Sequence, residues 1–426
     1  MTTGANSTTG VNFLKKFYTP NFIVNTVSGK ASRLFNLITH KTNGSGKDYN
    51  FLSVVGDNPS GSAVMSNSQS TGTASMQQGV QFVVPWFNDY ETPTVAGDLI
   101  AKTRNDQGGW LPALKAEMDS SLRYAGHRKS IALFTSGWGE LGQISAAQNL
   151  TLAVLTLADP SAIYRFIPGQ QIVFSGTLNS SLLRGNGDFL TITGVNYSTG
   201  TLQLSAAINS IAAGAGGVVA VSDIIFINGD RQNSATPSLR RPVGLGSPLG
   251  GGWAPIVQPT PGESFFGQDR TLNSFLTSFY IDGRSQPLPM SFVQAAQTTS
   301  SIGNADTLVG VCSPRQFSVL ANSMQGQVQY TQITGRGGVA FKTIMVYADG
   351  IELPVISDKY CVDGVAYVGD PKTLKHTSIG EAPHINHDDG QQMVRQTGDD
   401  GVEVRIRSFE TLTLEGAASW ATIQLA

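Results

Sequence analysis

A chain of 426 residues that is 40% hydrophobic can bury a sizeable core over two or three domains, but only 14% of it is charged, well below the ~25% of typical soluble domains. A surface made up instead of Ser, Thr, Asn, Gln and Gly repels its neighbours weakly and tolerates extensive contact with copies of itself. A formal net charge of −2 argues against a dedicated nucleic-acid binder, which carries a basic patch.

The first ten residues lack the basic and apolar regions of a signal peptide. No window reaches the ~18 apolar residues of a membrane span. Cys312 and Cys361, the two cysteines, form no disulfide framework and read as buried free thiols. Folding in a cytoplasm is the expectation.

Residues 1–43 read as an extended arm. Phe13, Phe17 and Tyr18 are its sticky positions, with Lys15 and Lys16 between them. Residues 44–90 read as a long hairpin, with 47–55 and 81–87 as its strands. The stretch between them is almost free of charge and of large apolar side chains. A loop that long is functional or disordered in most compact domains. It either waves in solvent or pairs with another chain.

Residues 91–158 lead into and out of the longest expected helix, 109–135. Leu111, Leu114, Met118, Leu122 and Ala125 recur at spacings of three and four and form one apolar face. Pro112 suits its first turn, and Gly137 and Gly139 end the pattern. A short helix or turn is expected within 137–154.

Over 159–230, short β-rich runs at 171–174, 189–192, 201–204, 218–221 and 224–227 alternate with turn signals such as Asn186-Gly187-Asp188. This spacing predicts a small barrel inserted into a host domain. Residues 231–290 are irregular and rich in Pro and Gly. A helix is expected from Pro289 to Ala296. Residues 308–312 form a strand that leads into a helix capped by Ser313, with Pro314 at its first position. A hairpin over 343–356, a strand over 364–369, an alternating strand from Val402 and a last strand over 421–425 complete an α+β chain.

Catalytic patterns are mostly missing. Gly44-Ser45-Gly46-Lys47-Asp48 lacks the Gly and the Ser/Thr of a phosphate loop. Gly246 to Gly250 is out of register for a nucleophile elbow. Asp188, Glu263, Asp269 and Asp349 form no convergent acidic pair. His384, His387 and Asp388 could ligate a divalent metal, but their spacing fits no specific motif and they read as a solvated loop. No cofactor and no enzymatic activity are expected.

The order arm, long hairpin, long helix, inserted barrel, strand–helix core and final β-rich segment resembles the major capsid protein of tailed bacteriophages, the Hong Kong-97-type fold. Residues 97–144 are similar to that family's spine helix with its entry and Gly-rich exit. GESFFGQDRTLNSFLTSFYIDG and TLVGVCSPRQFSVLANSM are similar to its axial domain, and 344–374 followed by 402–426 to its closing hairpin and peripheral strands.

The resemblance implies an arm over 1–43, an extended loop over 44–90, a peripheral domain over 91–158, an inserted barrel over 159–230, an axial domain over 231–340 and its end with a return to the peripheral strands over 341–426. It implies hexamers and pentamers in an icosahedral shell around double-stranded DNA. It further implies partners in a portal, in scaffolding and decoration proteins and in DNA held without specificity, none of them a membrane. The intersubunit contacts would then be Phe13, Phe17, Tyr18, Tyr49, Phe51, Val54, Phe82, Val84, Trp86 and Phe87. Inner-surface contacts to DNA would be Lys15, Lys16, Arg123, Arg128 and Lys129. Some members of the family cross-link a Lys to an Asn, and Lys47 is the only lysine of the hairpin, but nothing in the sequence assigns that chemistry here. The alternative readings are a tail or baseplate protein with a carbohydrate-binding barrel and a β-rich hydrolase.

Overall fold

The computed structural model describes residues 31–74, 78–102, 113–324, 330–334, 340–348, 350–386, 394–395 and 400–425. The fold is α+β, built on a seven-stranded sheet, a five-stranded sheet and a six-stranded sheet.

The seven-stranded sheet runs in the order Phe279–Asp282, Trp420–Gln424, Val365–Gly369, Val309–Cys312, Ile351–Ser357, Ala340–Ala348, Tyr330–Thr334. Its central strands Val309–Cys312 and Val365–Gly369 are buried throughout, as apolar runs of this length must be when both faces are covered. The helix Leu288–Ser301 lies on one face through Phe292, Ala295 and Ala296, all fully buried. The helix Pro314–Ser323 begins as its sequence requires. Ser313 Oγ accepts from the Gln316 backbone N–H while the Gln316 side chain reaches back, a capping box with Pro at the first position.

In the five-stranded sheet, Ile406–Leu414 pairs along one edge with Leu374–Ser378 and then His384–Ile385, and along the other with Phe87–Glu91. Thr39–Lys41 adds a parallel outer strand beside Leu374–Ser378.

The long helix spans Ala113–Ala132, shorter at its end than expected, and 109–112 and Leu111 lie outside the described residues. Its apolar-stripe reading needs correction. Leu122 is 37% exposed and Met118 half-buried, whereas Ala125, His127, Lys129, Ser130, Ile131 and Ala132 are all buried. Burial here runs along the axis instead of around it, because the last turn, Lys129 to Ala132, is enclosed on every side. The segment that closes over this end, 240–254, explains the glycines of that stretch. Gly244 donates to the Thr135 carbonyl at 3.0 Å, and a Cβ there would lie 2.0 Å from the Ala132 carbonyl oxygen. At Gly137, φ is +91° and a Cβ would meet Val243 at 2.5 Å.

The six-stranded sheet has the order Glu140–Gln143, Ile224–Ile227, Gln171–Ser175, Leu190–Asn196, Thr201–Leu204, Val154–Thr156. A bridge between Ile144 and Leu157 joins the first strand to the last and closes the ring. Ile172, Phe174, Ile192 and Leu202 fill its inside, all fully buried. The unit thus begins at 140 and not at 159. The expected helix or turn within 137–154 supplies two of its strands with a turn between them. The run 218–221 is not a strand; Val218 and Val221 are exposed, and only Val219 turns inward.

Candidate assembly interface

Asp48–Gly56 and Gln78–Pro85 pair as a two-stranded antiparallel ribbon. Side chains alternate along each strand, so the ribbon has two unlike faces. On the inner face Phe51 stacks on Phe82 with ring centroids 5.2 Å apart, and both rest against Trp253 at 5.9 and 5.6 Å. Trp253 is fully buried and donates to the Leu412 carbonyl at 3.0 Å. At the base Tyr49 donates to Glu415 Oε1 at 3.0 Å and Trp86 donates to the Gly46 carbonyl at 3.1 Å.

The outer face carries Leu52, 68% exposed, Val54, 51% exposed, and Val83, 42% exposed. From Asn58 to Asn88 there is no charged side chain. Between the strands, where the sequence predicts a loop, lies a helix, Met65–Ala74. It is polar and exposed nearly all round, with Met65 among its exposed residues. Such a helix has no apolar stripe to bury on its own chain. Ser68 ties it back, its hydroxyl donating to the Ser60 carbonyl at 2.7 Å.

The ribbon springs from a body held by buried charge. Lys129 Nζ on the long helix lies 2.7 Å from Glu410 Oε2, with 5% and 2% of the two side chains exposed. The adjacent Arg128 reaches Asp230 at 2.7 Å, Asp89 at 3.1 Å and Glu91 at 3.5 Å. Arg241 pairs with Asp89 at 2.8 Å and with Asp230 at 3.7 Å. This cluster joins the strand after the ribbon, the long helix and the exit of the six-stranded unit. Three carboxylates face two guanidinium groups. Burial pushes Glu91 up to about 7, with Arg128 pulling it down and Asp89 adding to the rise. Burial would also raise Glu410, but the His376 hydrogen bond and the Lys129 charge bring it down to about 2.

A second hub fastens the six-stranded unit. Arg165 is wholly buried and donates to the carbonyls of Tyr360 at 2.9 Å, Phe134 at 3.2 Å and Leu141 at 3.4 Å. His127 Nε2, 3.3 Å from the Arg165 carbonyl, donates to it, and its Nδ1 accepts from the Tyr360 hydroxyl at 2.9 Å. Burial lowers His127 to about 4, so this ring is neutral.

The positions expected from sequence fare unevenly. Phe13, Lys15, Lys16, Phe17, Tyr18, His387 and Asp388 lie outside the described residues. Residues 31–43, placed in the arm, lie on their own chain: Leu34 and Ile38 are buried, and Ser32 Oγ donates to Asp358 Oδ2 at 2.5 Å. Of the expected contacts, Phe51, Phe82, Val84 and Phe87 are buried in the chain's own core, Tyr49 and Trp86 are half-buried, and Val54 is exposed. Most of these residues therefore lie on the core face of the ribbon, and period-two alternation places Leu52 and Val83 on its exposed face.

Arg128 and Lys129, expected to face DNA, are spent on buried ion pairs, and Arg123 is half-buried. His384 donates from Nδ1 to the Glu381 carbonyl at 2.7 Å and accepts from Arg407 Nε at 3.0 Å. Among the described residues no group of three or more His, Cys, Asp or Glu is placed to hold a metal ion. Among them, too, no helix is long and apolar enough to cross a membrane. Cys312 and Cys361 are buried and free.

No family model matches the chain, and no curated protein matches it. Among solved structures it is similar to the cyanophage A-1(L) capsid asymmetric unit, at 12% identity and a TM-score of 0.45 over 96% of this chain and 94% of that one. It is similar to a structure from Microbacterium phage Oxtober96, at 10% identity and a TM-score of 0.42 over 99% of each chain. It is also similar to the capsid of the native GTA particle, at 8% identity and a TM-score of 0.41 over 97% and 94%.

Proposed function

We propose that this chain is the shell-forming subunit of a tailed-phage head, a structural protein that assembles as hexamers and pentamers around double-stranded DNA. The observation that carries the reading is the ribbon. Its inner face is anchored by Phe51, Phe82 and Trp253, while its outer face leaves Leu52, Val54 and Val83 exposed among the described residues. An uncharged, polar, exposed helix extends it further. A rigid base under a sticky, charge-free extension suits a second copy of the same chain. The order of segments that resembles the tailed-phage capsid family supports the same reading. With Arg128 and Lys129 already paired, contact with DNA on this reading is weak and nonspecific, consistent with a net charge of −2.

Electron microscopy of the full chain and of a deletion of residues 57–79 tests it. Closed shells or hexameric and pentameric rings are expected from the full chain. The deletion is expected to give a folded monomer without shells. The triple substitution Leu52→Ser, Val54→Ser, Val83→Ser is expected to do the same with the loop intact. Normal shells from either variant sink the role assigned to the ribbon, and trimers or six-fold tubes from the full chain point to a tail component instead.

A further inference from the structure

Beside the ribbon lies a short hairpin in which Ser264–Phe265 pairs with Gln268–Asp269. It is tied to the ribbon strand Gln78–Pro85. The Val83 backbone N–H donates to the Phe266 carbonyl at 3.3 Å, and Gln268 Nε2 donates to the Gln81 carbonyl at 2.9 Å. After the hairpin, Asn273 reaches the other ribbon strand and donates to the Val55 carbonyl at 2.9 Å. Hairpin and ribbon are thus continuous, and Leu272 and Phe275 are exposed on this segment as Leu52 and Val83 are on the ribbon.

Arg270 directly follows the hairpin and is buried, with 6% of it exposed. Its guanidinium carbon lies 3.8 Å from the Phe265 ring centroid, and Nη1 donates to the Gly252 carbonyl at 2.9 Å. That single hydrogen bond serves a group with five N–H donors. Nε is buried without a partner, and Nη2 makes no hydrogen bond. These two nitrogens share one edge of the guanidinium, the fork that a carboxylate grips with two parallel bonds.

The acids of the hairpin are turned elsewhere. Asp269 accepts from the Thr271 backbone N–H at 2.9 Å, from the Thr271 hydroxyl at 2.6 Å and from the Gly262 backbone N–H at 2.8 Å. Glu263 accepts from Thr260, and its charge reaches Arg270 without an ion pair forming among the described residues. Burial pulls the Arg270 guanidinium down to about 10, so it is still charged at neutral pH. A buried charge without a carboxylate against it is costly.

The opposite lack stands on the ribbon. Asp57, just past the strand Asp48–Gly56, is the only charged residue from 49 to 88. It is exposed and forms no ion pair among the described residues.

We propose that Arg270 is completed by Asp57 of a second copy of this chain, an ion pair between subunits that fixes where one ribbon seats on the next. The inference rests on the shell-subunit reading and deepens it. Apolar contact through Leu52, Val54 and Val83 supplies adhesion without direction, whereas a single charge pair sets register, because charge complementarity across an interface gives specificity more than affinity.

The test is sedimentation velocity and electron microscopy of the full chain over a concentration series. In Asp57→Asn and in Arg270→Met the concentration at which association begins should rise about thirtyfold or more, the loss expected from removing one partner of a desolvated charge pair. The double variant should be no weaker than either single one, because both remove the same contact. The unfolding midpoint of the dilute Asp57→Asn monomer should match wild type, since the pair forms only between copies. Association of Asp57→Asn at the wild-type concentration, additive losses in the double variant, or a lowered midpoint of its monomer overturns the proposal. So does inorganic phosphate that raises the midpoint of the wild-type monomer but not that of Arg270→Met, which gives the site to a free anion. Wild-type shells beside an indifferent Asp57→Asn overturn this inference alone, and a wild type that never associates overturns it together with the shell reading. Should Arg270→Met fail to fold, Asp57→Asn decides alone.

Discussion

Replacing Lys129 with Met separates a structural role from a DNA-binding one. Met keeps an aliphatic stem of similar reach and removes only the ammonium group, 2.7 Å from Glu410 Oε2 in a site where both side chains are buried. The Glu410 carboxyl is held down at about 2, below the ordinary glutamate value of about 4.5. At 1.36 kcal/mol per unit, this amounts to about 3 kcal/mol of net stabilisation of the ionised carboxylate. It is what the His376 hydrogen bond and the Lys129 charge leave after burial has pushed the other way. Breaking one partner of a buried pair typically costs about 3–5 kcal/mol, because the remaining charge is left without compensation. The expected loss in Lys129→Met at pH 7 is therefore about 3 kcal/mol.

The sign with pH follows from the direction of the shift. A carboxyl depressed on folding contributes its stability above about 4.5 and loses it as pH falls toward 2. The deficit of the variant should thus be largest at pH 7 and shrink below pH 4.5. Guanidinium unfolding of wild type and variant at pH 7 and pH 4, followed by tryptophan fluorescence, reads both quantities. The double variant Lys129→Met, Glu410→Met should recover most of the loss, since a well-packed apolar pair replaces a buried ion pair at little cost. A variant as stable as wild type at pH 7, with weakened DNA retention, would refute the reasoning and return Lys129 to the DNA-facing role expected from the sequence.

Two further outcomes follow from the same buried charges. Arg165→Met removes the donors from three buried carbonyls and should lower stability by about 3 kcal/mol or more, with the loss appearing first as faster amide exchange in residues 140–143 and 358–362. Glu91, raised to about 7, contributes stability that is fully present below about 4.5 and lost as pH rises through 7. Glu91→Gln should accordingly stabilise the chain more at pH 8 than at pH 5, by up to about 3 kcal/mol, as read from unfolding midpoints; an equal effect at both pH values would place Glu91 outside the charge cluster.

The sequence by itself determined the elements whose signals are local. Ser313-Pro314 starts a helix because a hydroxyl and a missing N–H satisfy the same few backbone groups wherever that helix lies. The hairpin of 343–356 and the strands at 171–174 and 224–227 declare themselves by β-branched runs between turn residues. So does the ribbon, whose strands are separated by a stretch too long and too polar for an ordinary loop. Only the tertiary structure decided what each side chain faces. Phe51 and Phe82 look like contact residues until Trp253, far along the chain, arrives beneath them. Arg128 and Lys129 look like surface cations until Asp89, Asp230 and Glu410, from three separate parts of the chain, come within ion-pair distance. The extent of the six-stranded unit was likewise hidden, because Glu140–Gln143 and Val154–Thr156 are strands only by virtue of partners at 224–227 and 201–204. The physical reason is the same in each case: capping and periodicity are settled within a few residues, whereas burial and charge pairing depend on segments tens to hundreds of positions away.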